Sequence, residues 1–233
     1  MINLETLFKN HFDTSKISDN NFQKFADINI QRLAENNGGG EFTTLIADTT
    51  AAYTDYYGNI SDENTKSALQ QGLTITMNNT VEAFKKAVSQ KEGIVRGNFG
   101  KDSAEYQEFF PHGVTEYTNA TLANIEILMD NFVNASNNHV GVLGIPFLTE
   151  FQDCRTNYTS ARDAQLQKIA DVAETKTASH QNRDVLELQL HKNLHTIATM
   201  FPGDVDRCMD FFDQSFIRPS ESGDEEEPTP PTP

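Results

Sequence analysis

Residues 61–98, SDENTKSALQQGLTITMNNTVEAFKKAVSQKEGIVRGN, decide the fold. Apolar side chains fall at Leu69, Leu73, Met77, Val81, Phe84, Val88 and Val95. Spacings of three, four and seven keep them on one face of a helix, so the stretch predicts an amphipathic α-helix. Ser61 followed by Asp62 and Glu63 reads as its start, and Gly97 and Gly100 as its end.

Working outward, the same period recurs. Residues 181–201 carry Leu186, Leu190, Leu194, Ile197 and Phe201, and Pro202-Gly203 stops them. Residues 114–136 carry Leu122, Ile125, Ile127, Leu128, Met129, Phe132 and Val133 in a wide apolar arc, which predicts a central, mostly buried helix. Further helices are expected over about 21–36, 41–57 and 146–177. The one β-like run, Val140 to Ile145, is broken by Gly141 and Gly144. The expected fold class is all-α, a helical bundle with antiparallel neighbours.

The chain also partly matches itself at a shift of 102 residues. Phe109 and Phe110 fall on Phe211 and Phe212, Phe99 on Phe201, Asp102 on Asp204, Phe84 on Leu186 and Val88 on Leu190. This reads as tandem duplication of a unit of about 100 residues. The expected organisation is an N-terminal segment (1–20), a first helical unit (20–112), a second (113–217) and a tail (218–233). The tail runs from Gly223-Asp224-Glu225-Glu226-Glu227 into a Pro/Thr-rich end. Such residues cannot build a core, so a disordered tail is expected, and its PxxP spacing suits a proline-reading groove.

Composition limits the function classes. The 233 residues include 34 acidic and 18 basic ones, a formal charge of -16. A field of that sign repels phosphate backbones and anionic lipid surfaces, which argues against nucleic acid and membrane as partners. No basic start with an apolar run opens the chain, and two cysteines make no disulfide framework, so a cytoplasmic location is expected.

Few motifs carry chemistry. Glu187, His191 and His195 are four apart on one predicted helix, a spacing that could aim three ligands at a divalent metal. No Glu-x-x-His pair of the di-iron bundle type occurs. Cys154 lacks a nearby histidine to activate it, and Cys208 reads as a small core residue. Gly97 to Ser103 lacks the adjacent Lys-Ser of a phosphate loop, and the calcium-like start at Asp204 lacks its glycine and closing glutamate.

The Phe-Phe pairs are the strongest constellation. Tyr106, Phe109 and Phe110 follow Asp102, which can cap a short helix, and Phe211, Phe212 and Phe216 follow Asp204. These six aromatics form either a plug sealing each unit or a patch that grips a partner. The expectation is a non-enzymatic scaffold or adaptor acting through protein contacts, with no cofactor. The alternatives are a subunit of a homo-oligomer, or a small metal- or ligand-binding protein near His191 and His195.

Overall fold

The computed structural model describes Glu5, residues 8–13 and residues 16–217. The expected disordered tail, 218–233, lies outside the described residues. Every regular element among the described residues is helical. In chain order these are α1 (Asp19–Glu35), α2 (Thr43–Phe99), α3 (Ala104–Phe109), α4 (Val114–Thr118), α5 (Ile125–Asn138), α6 (Val140–Leu143), α7 (Ile145–Met200) and α8 (Val205–Met209). A 3₁₀ turn, Gln214–Phe216, follows. No helix among them is long and apolar enough to cross a membrane.

Four boundaries differ from the sequence reading. The helices expected over 41–57 and 61–98 are one 57-residue helix, and those over 146–177 and 181–201 are one of 56 residues. Neither junction contains proline, and a single Gly58 costs only about 1 kcal/mol in a helix. A heptad seam bridges both junctions. On α7, Tyr158, Gln165, Val172, Ser179, Leu186 and Asn193 are seven apart, and all are buried. A repeat of 3.5 residues keeps such a row facing a partner helix. Ser61 therefore sits inside a helix and does not start one. The helix expected over 114–136 is split, because α4 ends at Thr118 and the Asn124 Oδ1 accepts from the Thr121 N–H at 2.7 Å. Within that stretch Leu122 and Ile127 are exposed. The glycine-broken run is a one-turn helix over Val140–Leu143, with Ile145 opening α7, and Ser103, not Asp102, caps α3.

The contacts divide the chain into two compact units, and each draws on both halves of the sequence. One comprises residues up to Glu63 with those from Thr175 onward, and the other spans Asn64–Glu174. In the first unit, Lys192 to Asp48 and Asn182 to the Asp55 carbonyl set α7 antiparallel to α2. Its core joins Phe12, Phe22, Phe25, Leu33, Phe42, Leu186, Leu190, Ile197 and Phe211. In the second unit, Gln165 donates to Thr74 at 3.0 Å and Lys91 pairs with Glu150 at 2.8 Å, again antiparallel. Its core joins Met77, Phe84, Val88, Phe109, Phe132, Phe147 and Phe151. Each such side chain contributes about 1.5–3 kcal/mol by leaving water.

Candidate functional site

The aromatic candidates are placed by two short capped helices. On α3 the Ser103 hydroxyl accepts from the Tyr106 N–H at 3.0 Å. This turn swings Phe109 against Phe132 (5.2 Å between ring centroids) and Phe110 against Tyr106 (5.0 Å). The Tyr117 hydroxyl donates to the Phe109 carbonyl at 2.7 Å and locks the position. On α8 the Asp204 carboxylate accepts from the Arg207 N–H at 3.0 Å. Phe211 packs on Phe42 and Phe201, Phe212 stacks on Phe25, and the Arg207 guanidinium lies over Phe201 and Phe211.

Tyr106, Phe109, Phe110, Phe211 and Phe212 are all buried, so their ring faces are occupied within their own units. Phe216 alone of the six is half-exposed, with the Lys24 ammonium above its ring.

Of the three metal candidates only the two histidines meet. Glu187 is 4% exposed, and its Oε1 accepts from Arg183 Nε at 2.8 Å, one turn back along α7. Burial pushes its carboxyl above the usual carboxylate range, and the Arg183 bond opposes that shift. His191 and His195 turn to each other, Nε2 to Nε2 at 3.2 Å, with rings nearly perpendicular. Burial, then the proximity of His195 and His11, lowers the His191 pKa. Among the described residues no group of three or more His, Cys, Asp or Glu side chains is placed to hold a metal.

Cys154 is half-buried. Burial, with Glu150 and Asp153 adding, pushes its thiol up and away from the reactive thiolate. Its neighbour Arg155 is engaged by Asp130 at 2.6 Å and Glu126 at 2.7 Å.

Two polar constellations were missed from the sequence. The first centres on Arg183 in the first unit. Its Nη1 meets the Asp19 Oδ1 at 2.7 Å and the Tyr56 hydroxyl at 3.2 Å, and its Nη2 donates to the Ile17 carbonyl at 3.2 Å. Tyr56 donates to the same Asp19 oxygen, and the guanidinium lies 4.8 Å from the centre of the Phe22 ring. Burial, with the Asp19 bond adding, pushes the Tyr56 hydroxyl up to about 12. The four-residue step from Arg183 to Glu187 was the available signal, since that spacing aligns two charges on one helix face.

The second constellation is a buried polar triad. Asn193 Nδ2 donates to Asn29 Oδ1 at 2.9 Å and Thr49 Oγ1 at 2.8 Å, and Asn29 donates to the Phe211 carbonyl at 3.0 Å. No sequence signal marks it, because its members are 144 and 164 residues apart.

Compared with models of protein families, with curated proteins and with solved structures, the chain gives no significant match.

Proposed function

We propose that the chain is a non-enzymatic helical adaptor acting through protein–protein contacts. One observation carries the reading. Val185 and Leu188, one turn apart on α7, are 54% and 59% exposed beside the exposed Asp184, on a chain of formal charge -16. An exposed apolar pair on a chain of strongly negative formal charge suits a basic amphipathic helix, whose apolar stripe would cover the pair and whose charges would steer the encounter.

Val185→Glu with Leu188→Glu tests it. Both side chains point away from the core, so stability should change by no more than about 0.5 kcal/mol. Proximity labelling in the native cell should lose a basic protein that binds the purified wild type and not the double variant. An identical labelled set for both forms would refute the reading.

A second reading, a homo-oligomeric subunit, draws on Val142 and Ile145 in the other unit, 58% and 72% exposed beside the left-handed turn at Gly144. It predicts a concentration-dependent mass in sedimentation that Val142→Asp with Ile145→Asp abolishes.

Tandem duplication accompanies both readings. Positions 102 apart are buried in pairs: Leu45 with Phe147, Thr49 with Phe151, Tyr56 with Tyr158, Phe84 with Leu186, Val95 with Ile197 and Phe109 with Phe211. For α1 and α5 the offset is 103, pairing Phe22 with Ile125, Phe25 with Leu128 and Asn29 with Phe132. Matching burial on this scale supports two copies of one ancestral unit whose halves now pack crosswise.

A further inference from the structure

The first unit holds a cavity of about 620 Å³ between the segment around Ser18 and the facing stretches of α2 and α7. That volume is within the usual range for pockets that take small molecules. Asp19, Tyr56 and Arg183 form one wall, already ordered by their mutual bonds. Arg183 is largely committed within the protein: Nε serves Glu187, Nη1 serves Asp19 and Tyr56, and Nη2 serves the Ile17 carbonyl.

Farther along the same two helices the lining is different. Ser179 lines the cavity and is only 6% exposed, yet its hydroxyl makes no hydrogen bond. Other buried helical hydroxyls of this chain donate to the carbonyl four residues back, as Thr49 does at 2.6 Å and Ser136 at 2.7 Å. Leaving a buried hydroxyl unpaired costs about 1–3 kcal/mol, so a partner belongs there. Three residues earlier on α7, Lys176 also lines the cavity, and Glu63 of α2 faces it. Among the described residues neither has an ion pair. Ile17 and Ile60 add apolar surface.

We infer that this cavity binds a small zwitterion of the class of free amino acids and short peptides. The Lys176 ammonium and the Ser179 hydroxyl receive the carboxylate, Glu63 receives the ammonium, and Ile17 and Ile60 flank the apolar part. Arg183 is taken up by Asp19 and Glu187, so Lys176 and Glu63 are the two charged side chains of the lining left for a ligand, one of each sign, beside the His180 imidazole, which matches a ligand carrying both. The inference is independent of the adaptor reading, whose surface pair lies outside the cavity.

Titration calorimetry of the full chain against the standard free amino acids and trialanine tests it. At least one probe should bind with a Kd below about 1 mM. Ser179→Ala removes only an oxygen and should weaken that probe about tenfold, as should Lys176→Gln and Glu63→Gln. N-acetylating or amidating the same probe should abolish binding. Binding by none of the probes below about 1 mM overturns the inference, as does binding that Ser179→Ala and Lys176→Gln leave unchanged.

Discussion

Replacing Arg183 with methionine isolates the charge that the first unit buries. The side chains of Arg183 and Glu187 are 15% and 5% exposed. Removing one partner of such a pair leaves an uncompensated buried charge and costs about 3–5 kcal/mol. The Asp19 contact adds little, because Asp19 is 60% exposed and surface pairs contribute about 1 kcal/mol or less. Arg183→Met should therefore destabilise the unit by about 4 kcal/mol.

Glu187→Met leaves Arg183 with Asp19 and Tyr56 and should cost about 1–2 kcal/mol. The double variant carries no buried charge, so its loss should fall well below the sum, with a coupling of about 2–3 kcal/mol. The pH dependence has a defined sign. Burial raises the Glu187 carboxyl, and losing Arg183 removes the contact that opposes the rise. The penalty is absent below the unfolded carboxylate pKa of about 4.3 and grows as pH climbs toward the raised folded value. Arg183→Met should therefore lose less at pH about 5.5 than at pH about 8. Hydrogen exchange read by mass spectrometry measures this locally, with amides of 186–197 reporting on the first unit and 84–95 serving as reference. A coupling below about 0.5 kcal/mol, or a loss that ignores pH, would refute a buried, Arg-dependent Glu187.

Asn193→Leu should cost about 2–4 kcal/mol in the same exchange assay, since Asn29 and Thr49 each lose a buried partner, and a neutral result would mean the triad is dispensable. Phe132→Ala should cost about 3–5 kcal/mol in the second unit, because its ring meets Phe84, Phe109, Tyr117 and Phe151; protection of residues 84–95 reports it. Cys154 should react with Ellman's reagent far more slowly than a free thiol at pH about 8, given its raised pKa and half-burial, and labelling as fast as glutathione would contradict this. His191, whose pKa is lowered first by burial, binds its proton more readily unfolded. Stability should hold above pH about 6.5 and fall on acidification below it, and His191→Gln should flatten that fall in urea titrations.

The helices were legible because their buried residues repeat at three and four. Met77, Val81, Phe84, Val88 and Val95 all reach the core. Continuity was not legible, because hydropathy registers apolar stripes only. Across the junctions the seam is carried by Glu63, Gln70, Gln165 and Ser179, all at least half-buried, so two long helices read as four. Leu69 belongs to the apparent stripe, yet it is exposed. Spacing placed each Phe-Phe pair on one side of a short helix, but whether that side faces core or solvent depends on the chain that returns to cover it. At Glu187 the sequence offered two four-residue partners, His191 ahead and Arg183 behind. The opposite charge of Arg183 was the better match for a buried carboxylate, and Asp19 and Tyr56 joined it only through folding.

The proposed duplication also explains why the two units differ where they do. The positions matching Asn29 and Thr49 are Phe132 and Phe151, whose rings sit 4.3 Å apart at the heart of the second core. In the first unit Asn29 and Thr49 are joined instead by Asn193. An aromatic pair fills volume and tolerates small shifts of register. A three-membered hydrogen-bond network does not, because any slip along α7 orphans a buried group. The polar triad therefore gives the first unit a fixed register in place of some apolar stabilisation. In that unit the cavity lined by Ser179 and Lys176 depends on α7 holding its position against α2. Loss of register there would misplace those side chains by about 1.5 Å per residue slipped.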